Sequence, residues 1–392
     1  MKVLFAFVIV LTSAGVSRAE LPGDFGGDLE KRPAPLKALS GVGATGYWRD
    51  IFAAGAEEIR RVFREEDGVG PFHNNLSSPA GAGCTSCHAT QNGLGGYPNR
   101  VAAFYGFSGT GTTGESVFFP PQGLVLRINA LSGSPLEVLP AWATPVDERK
   151  TPQIMGMGLV EAVPDQVFHD LAEANGGKVT VSSETGRVQR WGSQNQVATV
   201  LEFVDGAFAT ELGVTQEESE SDDSLHPNVT GIDPEILVWQ YLLLLDHPVE
   251  KPNPSTASQL GRAIFTQIGC ATCHTPTLTT GPAPLEVNGI TLDIDALKNV
   301  EFHPYSDYLL HDLGFAESDV HLGQAGRSEY RTAPLWGRRY DQNGDFHDQS
   351  QPNYRLYKTI ERHGGEATGV KAAYKALSAR EKDQLYRFVG DR

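Results

Sequence analysis

Residues 261–274 read GRAIFTQIGCATCH, and residues 84–88 read CTSCH. Both stretches contain the pattern Cys-x-x-Cys-His, and the residues that make it are Cys84, Cys87, His88, Cys270, Cys273 and His274. With this spacing each thiol can add to one vinyl group of a porphyrin, and the adjacent histidine is then held beneath the iron as an axial ligand. The two motifs therefore predict two covalently attached c-type haems.

Other uses of paired cysteines compete with this interpretation. The chain has 4 cysteines, and all of them lie in the two motifs. Two Cys-x-x-Cys pairs could form a tetrathiolate zinc site, a set of disulfides or redox-active dithiols. None of these alternatives explains why a histidine directly follows both pairs, so haem attachment is the preferred interpretation.

The beginning of the sequence predicts export. Lys2 is followed by an apolar run at residues 3–16, and Ser17 and Ala19 are small residues at the positions that a signal peptidase reads. The run is too short to span a bilayer, which favours a cleaved secretory signal over a membrane anchor. We expect a signal peptide at residues 1–19, a periplasmic location and no membrane span.

Composition limits the partners and suggests the domain organisation. The formal net charge of −16 disfavours nucleic acid and anionic membranes as partners, and it suits a basic redox partner or simply favours solubility. The chain is long enough for two hydrophobic cores. The proline-rich stretch at residues 247–254 is the best candidate for a linker. We expect an N-terminal haem domain at residues 20–250 and a C-terminal haem domain at residues 255–392.

Apolar periodicity predicts a mainly α-helical fold with long loops. Helices are expected over residues 48–63, 164–174, 197–212, 236–245, 260–268, 356–363 and 378–389. Ser193 with Gln196 is the expected capping box of the third of these helices, Ser258 is expected to open the fifth, and Ser378 with Glu381 is expected to cap the last. Residues 89–150 are expected to be irregular.

Short β-hairpins are expected at two places. Residues 178–191 alternate around a polar turn, and residues 285–292 turn on Asn288 and Gly289. Together with the helices, these features predict two cytochrome c-like haem domains that carry a few short hairpins.

Several further segments resemble the bacterial dihaem oxidoreductases, a family also described as peroxidases or thiol oxidoreductases and related to the dihaem cytochrome c peroxidases. Besides residues 261–274, the segments that carry the resemblance are residues 151–163 (TPQIMGMGLVEAV), 305–314 (YSDYLLHDLG), 330–337 (YRTAPLWG), 346–348 (FHD) and 363–367 (HGGEA). They follow the family order. The sequence departs from the family at residues 348–350, which read DQS, and in an expanded loop before Cys84.

The resemblance implies a division of labour between the haems. One haem would pass electrons, and the other would react with peroxide or another small oxidant. A small donor protein such as a cytochrome c or a cupredoxin would supply the electrons, and a bridging calcium ion is possible in such relatives. Two other functions remain open: a dihaem cytochrome that only transfers electrons, and a dihaem oxidase that acts on a protein or an organic substrate.

The resemblance also suggests the sixth ligands of the irons. His363 lies where the peroxidase relatives place the ligand of the C-terminal iron, and it shares an apolar helix face with Leu356 and Ile360. For the N-terminal iron, Met157 is the candidate ligand. Glu161, one helical turn further on, is the candidate acid–base group. A buried structural histidine and a solvent-exposed carboxylate are the alternatives for His363 and Glu161.

Four more residues match the family. Arg331 is expected to contact a haem propionate. Trp336 is a candidate conductor between the haems, with an ordinary place in the core as the alternative. His311 and His347 could each be a hydrogen-bond donor near a haem, a propionate contact, an alternative ligand or a purely structural residue.

Overall fold

The computed structural model describes residues 38–43, 45–74, 83–90, 93–94, 101–107, 125–127, 129–131, 133–135, 143–150, 152–214, 233–314, 323–338 and 356–392. The expected signal peptide, most of the expanded loop before Cys84, and His347 lie outside these residues. Within the described residues, no helix is long and apolar enough to cross a bilayer.

The described part of the chain is rich in helices. Its α-helices are α1 Tyr47–Glu58, α2 Cys84–His88, α3 Met157–Glu161, α4 Asp165–Asn175, α5 Val200–Ala207, α6 Pro234–Leu244, α7 Thr256–Gln267, α8 Leu356–Arg362, α9 Thr368–Ala376 and α10 Ala379–Gly390. A π-helical turn, Phe208–Leu212, extends α5. Short 3₁₀ helices lie at Glu65–Asp67, Cys270–Thr272, Asp295–Leu297 and Gly365–Ala367.

The described strands are short and pair in antiparallel fashion. They are β1 Phe72–His73, β2 Ala89–Thr90, β3 Gly93–Leu94, β4 Val101–Phe107, β5 Val125–Leu126, β6 Asn129–Ala130, β7 Ala143–Lys150, β8 Leu278–Thr279, β9 Leu285–Val287, β10 Ile290–Leu292, β11 Glu301–Phe302, β12 Leu310–Asp312 and β13 Glu329–Arg331. The pairs are β1–β6, β2–β3, β8–β11, β9–β10 and β12–β13, and β4 lies between β5 and β7.

Two of the predicted elements are confirmed in detail. In the turn between β9 and β10, Asn288 and Gly289 have φ of 49° and 81°, the left-handed values that a two-residue hairpin turn requires. At the start of α10, the Ser378 hydroxyl accepts from the Glu381 backbone N–H, and the Glu381 carboxylate accepts from the Ser378 N–H at 2.8 Å. This is the predicted capping box.

The structure differs from four predictions about local structure. Thr199 and Glu202, not Ser193 and Gln196, form the capping box of α5, so that helix starts later than expected. Ser255 caps α7 and accepts from the backbone N–H of Ser258, which is itself inside the helix. Residues 89–150 contain the three-stranded sheet β5–β4–β7 and are not wholly irregular. In the expected hairpin at residues 178–191, the two arms pair around the turn through backbone hydrogen bonds and the bridge of Val181 with Val188, but they form no regular strands.

Two hydrophobic clusters hold the described residues together. The larger combines residues of α1, α3, α5 and α6 with apolar side chains of residues 278–309 and with Trp336. The smaller belongs to α7, α9 and α10 and includes Phe265, Tyr305 and Phe388. The fold is therefore mainly α-helical with short antiparallel pairs, as the sequence predicted. The larger cluster takes residues from both sides of the domain boundary expected near residue 250, and the assignment of one haem to each domain stays a prediction.

The crossing of α7 and α10 depends on a glycine. A Cβ atom on Gly261 would lie 2.0 Å from the carbonyl oxygen of Gln384 and 2.8 Å from Cβ of Phe388. Both atoms belong to the backbone of α10 or lie directly on it, so a methyl group could fit only if the backbone moved. Gly261 therefore lets the two helices approach each other directly.

We expect Gly261→Ala to destabilise the protein, because the helices must separate to admit the methyl group. The loss of unfolding free energy should be about 1–3 kcal/mol, which is typical of overpacking. The midpoint of urea unfolding, followed by circular dichroism, measures this loss. Gly369→Ala in α9 is the matched control, since a Cβ there meets nothing within 4 Å. The control should gain up to about 1 kcal/mol from helix propensity, and an equal loss in both variants would contradict the prediction.

Candidate functional site

The first Cys-x-x-Cys-His motif forms the short helix α2. Nδ1 of His88 lies 3.1 Å from the carbonyl oxygen of Pro152. Because a carbonyl only accepts, the ring nitrogen must donate, which fixes the tautomer whose Nε2 carries a lone pair. Burial lowers the pKa of His88 to about 4, so the ring is neutral at physiological pH. This is the state that a metal-bound histidine needs.

The second motif repeats this arrangement. Cys270–Thr272 form a 3₁₀ turn, and Nδ1 of His274 donates to the carbonyl oxygen of Tyr305 at 3.0 Å. Burial, together with the nearby imidazole of His363, lowers the pKa of His274 to about 3. His88 and His274 are therefore both neutral, and both are held through Nδ1 by backbone carbonyls.

The thiols of the second motif suit an apolar cofactor better than a zinc ion. Cys270 and Cys273 are not joined by a disulfide. Burial raises the pKa of the Cys270 thiol to about 12, whereas zinc is bound by the thiolate. Cys270 packs against the smaller hydrophobic cluster. These side chains fit a porphyrin attached through thioether bonds.

His363 follows directly after α8. Its Nδ1 lies 2.9 Å from the carbonyl oxygen of Thr359, and burial lowers its pKa. The influence of His363 on the pKa of His274 places the two imidazoles within electrostatic range. His363 thus has the same tautomer as the two motif histidines and lies near the second one. Its role as an iron ligand stays a prediction.

Trp336 lies between the segments that hold the two motif histidines. Its ring packs against Phe302 and His247 at centroid distances of 5.7 and 6.0 Å, and a Cβ on Gly156 would lie 2.7 Å from it. Gly156 is four residues from Pro152, which anchors His88. The backbone N–H groups of Leu335 and Trp336 both donate to Pro304, the neighbour of the residue that anchors His274.

Glu161 is almost completely buried, with 1% of its surface exposed. Its Oε2 accepts from Nε1 of Trp191 and from the backbone N–H of Val200, each at 3.0 Å. Oε1 has no hydrogen-bond partner among the described residues. Burial raises the pKa of Glu161, although the charge of Arg190 opposes the rise. The alternative of a solvent-exposed carboxylate is wrong, and the position of Glu161 beside the first haem stays a prediction.

The buried guanidinium of Arg190 orders the backbone next to Glu161. Arg190 donates to the carbonyl oxygens of Val160 and Val163 at 3.2 and 2.9 Å, and it forms a salt bridge with Asp165. Its charge also lies over the ring of Phe168. A buried charge with these partners holds the end of α3 firmly, and with it the carboxyl group of Glu161.

The remaining expected residues are less informative. Met157 begins α3 and is buried in the larger hydrophobic cluster, at 5% exposure. Arg331 donates through Nε to the carbonyl oxygen of Gly192 at 2.7 Å, and its guanidinium lies over the ring of Tyr308. A contact between Arg331 and a propionate stays a prediction.

His311 has a more defined place than the sequence suggested. Its Nε2 lies 2.9 Å from Oδ2 of Asp307, and its Nδ1 lies 2.7 Å from Oε2 of Glu366. Burial lowers the pKa of His311, but the bonds to Asp307 and Cys273 outweigh it and raise the pKa to about 11. Sγ of Cys273, Asp307 and His311 come within 4.8 Å of one another, a grouping that could hold a metal ion. Attachment of Cys273 to a haem would remove its thiolate from that set.

Three functional candidates were missed by the sequence analysis. Trp191 was expected only at the end of a hairpin. Glu366 and Asp307 were included only as parts of the family segments 363–367 and 305–314, with no role of their own. A weak signal existed for Glu366, because it lies three residues after His363 beyond two glycines. Nothing in the sequence pairs Trp191 with Glu161, which lies 30 residues away.

Comparison with known proteins finds a family match to the part of the chain that contains the second motif. A family model described as "Di-haem oxidoreductase, putative peroxidase" matches residues 235–391. No curated protein sequence matches the chain. A structure of hydrazine synthase from Kuenenia stuttgartiensis, pressurised with 20 bar xenon, aligns over 96% of this chain and 100% of that chain, at 12% identity and a TM-score of 0.39. Residues 235–391 thus match the di-haem oxidoreductase family, which confirms the resemblance drawn from the motifs in that range.

Proposed function

We propose that this protein is an exported dihaem c-type oxidoreductase that reduces peroxide or another small oxidant. The observation that carries the proposal is the equivalent anchoring of His88 and His274 by backbone carbonyls, through Nδ1, directly after the two cysteine pairs. A histidine held in this way presents Nε2 to a metal in a fixed orientation. Two such histidines agree with the two haems that the family description names.

A haem bound at each motif would supply an iron that gains and loses single electrons. His88 and His274 would each hold one of the irons through Nε2. His363 would complete the coordination of the C-terminal iron and make that haem an electron-transfer site. Met157 would at most bind the N-terminal iron loosely, which leaves that haem as the reactive one.

Trp336 would provide the path between the two haems. Its ring lies against Gly156, in the segment that holds His88, and its backbone N–H donates to Pro304, in the segment that holds His274. Trp336 is buried, at 6% exposure. A buried aromatic residue that contacts both segments suits the passage of electrons better than a solvent-filled gap.

Glu161 would handle the proton. Reduction of a peroxide to two waters takes up two electrons and two protons, and one proton must first move from one peroxide oxygen to the other. Oε2 of Glu161 is occupied by Trp191 and Val200, while Oε1 has no partner among the described residues. A buried carboxyl group with a raised pKa and one uncommitted oxygen suits proton transfer.

The electron donor would be a small cytochrome c or cupredoxin with a basic surface. The net charge of −16 would attract such a partner and speed the encounter at low ionic strength. The apolar run at residues 3–16 would direct the chain to the periplasm, where haem attachment and this electron transfer would take place.

The first test is the composition of the exported protein. Its intact mass should exceed that of the apoprotein, cleaved near residue 20, by two haems. Its absorbance should show a high-spin ferric component, either at rest or after reduction by one electron. The protein should also consume peroxide in the presence of a reduced cytochrome or a small-molecule donor. A single haem, or zinc in its place, would refute the proposal. Two low-spin haems without peroxide turnover would identify an electron carrier instead.

A further inference from the structure

A continuous set of polar contacts joins the two sides of the second haem-attachment site. On one side, the backbone N–H of Asp307 donates to the carbonyl oxygen of Cys273 at 2.9 Å, and that of Ser306 donates to Thr275 at 3.0 Å. The segment that contains Asp307 is thereby fixed to the two residues that flank His274. The carboxylate of Asp307 is fully buried and also accepts from the N–H of Leu309.

The contacts continue through His311 to the segment that follows His363. His311 pairs with Asp307 through Nε2 and with Glu366 through Nδ1, at 2.9 and 2.7 Å. The second oxygen of Glu366 accepts from the backbone N–H of Asp312 at 2.9 Å. Glu366 therefore binds β12 at two points, and it lies three residues beyond His363 in the chain.

The segment between His363 and Glu366 has little room to move. A Cβ on Gly364 would lie 2.7 Å from the carbonyl oxygen of Leu313, and one on Gly365 would lie 2.2 Å from that of Asp312. Gly365 also has a φ of 48°, which favours glycine. The two glycines let this turn lie directly against the backbone that follows β12, and the Glu366 carboxylate holds it there.

We propose that Glu366 is a positioning residue that holds His363 over the second haem, through the bridge formed by Asp307, His311 and Glu366. This inference rests on the proposed role of His363 as sixth ligand. The bridge would fix the separation of His274 and His363, the two imidazoles that would hold the iron. It would keep the C-terminal haem closed to external ligands, and so reserve it for electron transfer.

Glu366 is the replaceable part of this bridge. Its side chain is 45% exposed, whereas those of His311 and Asp307 are 3% and 0% exposed. After a substitution at Glu366, His311 keeps Asp307 as its partner, and water can reach the place of the lost carboxylate. Replacing His311 would instead leave the buried carboxylate of Asp307 unpaired and would risk the fold.

Carbon monoxide binding to the fully reduced holoprotein tests the proposal, because the gas can bind the C-terminal haem only when His363 dissociates. In Glu366→Ala the slow phase of binding should become about tenfold faster or more, since a hydrogen bond to a charged group contributes at least that factor. Haem content and far-ultraviolet circular dichroism should not change. His363→Ala identifies the binding phase of this haem, because without the histidine that phase should become fast. In that background, the further change Glu366→Ala should have no effect on it.

Two further variants make the result specific. Glu361→Ala removes an exposed carboxylate from α8 itself and should leave the slow phase unchanged. Glu366→Gln keeps one acceptor oxygen, which can take either the Asp312 N–H or the Nδ1–H of His311, so it should restore part of the slow binding. Unchanged kinetics in Glu366→Ala, with a fast phase in His363→Ala, would overturn the inference and leave the proposed ligand intact. A slow phase unaffected by His363→Ala would instead overturn the proposed ligand.

Discussion

Replacing Glu161 with glutamine is expected to lower peroxide turnover by about a hundredfold or more, the usual effect of losing a general acid–base group. Glutamine has the size of glutamate, and its carbonyl oxygen can still accept from Trp191 and from the Val200 N–H. It cannot take up a proton. Haem content, spin state and both reduction potentials should therefore stay close to those of the wild type.

The assay is peroxide consumption with a reduced cytochrome or small-molecule donor. Glu173→Gln is the matched control, because Glu173 is an exposed carboxylate on α4 and its loss should leave turnover unchanged. A Glu161→Gln variant as active as the wild type would exclude Glu161 as the acid–base group. If Met157→Ala alone creates activity in an inactive wild type, Met157 is a permanent ligand and the native protein is a carrier.

The pH profile of the same reaction gives a second measurement of the role of Glu161. Burial raises the pKa of Glu161, and the hydrogen bond from Trp191 opposes that rise by stabilising the carboxylate. Glu161 acts as a base only when ionised, so turnover should increase with pH through its pKa. In Trp191→Phe this hydrogen-bond donor is lost, so the pKa of Glu161 should rise further. The part of the pH profile in which turnover increases should therefore move to higher pH. A purely structural Trp191 would lower turnover without this shift in pH.

Features set by neighbouring residues could be predicted from the sequence. Two examples are the capping box of Ser378 and Glu381 and the turn at Asn288 and Gly289. Their residues lie no more than three positions apart, so the residue types alone are enough to predict them. The error at α5 is of the same local kind. Two overlapping capping patterns compete there, and the oxygen of the Gln196 side chain accepts from the Gln194 N–H and does not cap a helix.

The parts of the site that depend on distant pairings could not be predicted. His311 contacts Glu366 across 55 residues, and Trp191 contacts Glu161 across 30. Each residue alone is an ordinary core or surface residue, and only the fold decides which carboxylate meets which donor. The motif histidines were predictable because the cysteines fix their chemistry. Their carbonyl anchors, Pro152 and Tyr305, lie 64 and 31 residues away and needed the structure.

Replacing His363 with alanine is expected to convert the C-terminal haem from low spin to high spin. Nδ1 of His363 donates to the carbonyl oxygen of Thr359. This bond orients the ring and leaves the lone pair on Nε2, the nitrogen that would bind iron. The turn at Gly364 and Gly365 packs tightly against Asp312 and Leu313, so no other side chain should move in to replace the lost imidazole. The wild-type haem should lack a sulfur-to-iron absorbance band and should titrate below a His/Met cytochrome, because methionine stabilises the reduced iron better.

The spin state is measured by ferric absorbance and electron paramagnetic resonance. His303→Ala is the matched control: His303 is a partly exposed imidazole of the same region, with Nδ1 near the hydroxyl of Thr277 at 3.1 Å, and its loss should leave both spectra unchanged. Added imidazole should restore the low-spin spectrum of His363→Ala by entering the space that the side chain leaves, which a merely misfolded variant would not allow. If both haems of His363→Ala stay low spin without added imidazole, another side chain is the ligand, and the apolar helix face of α8 carries a structural histidine.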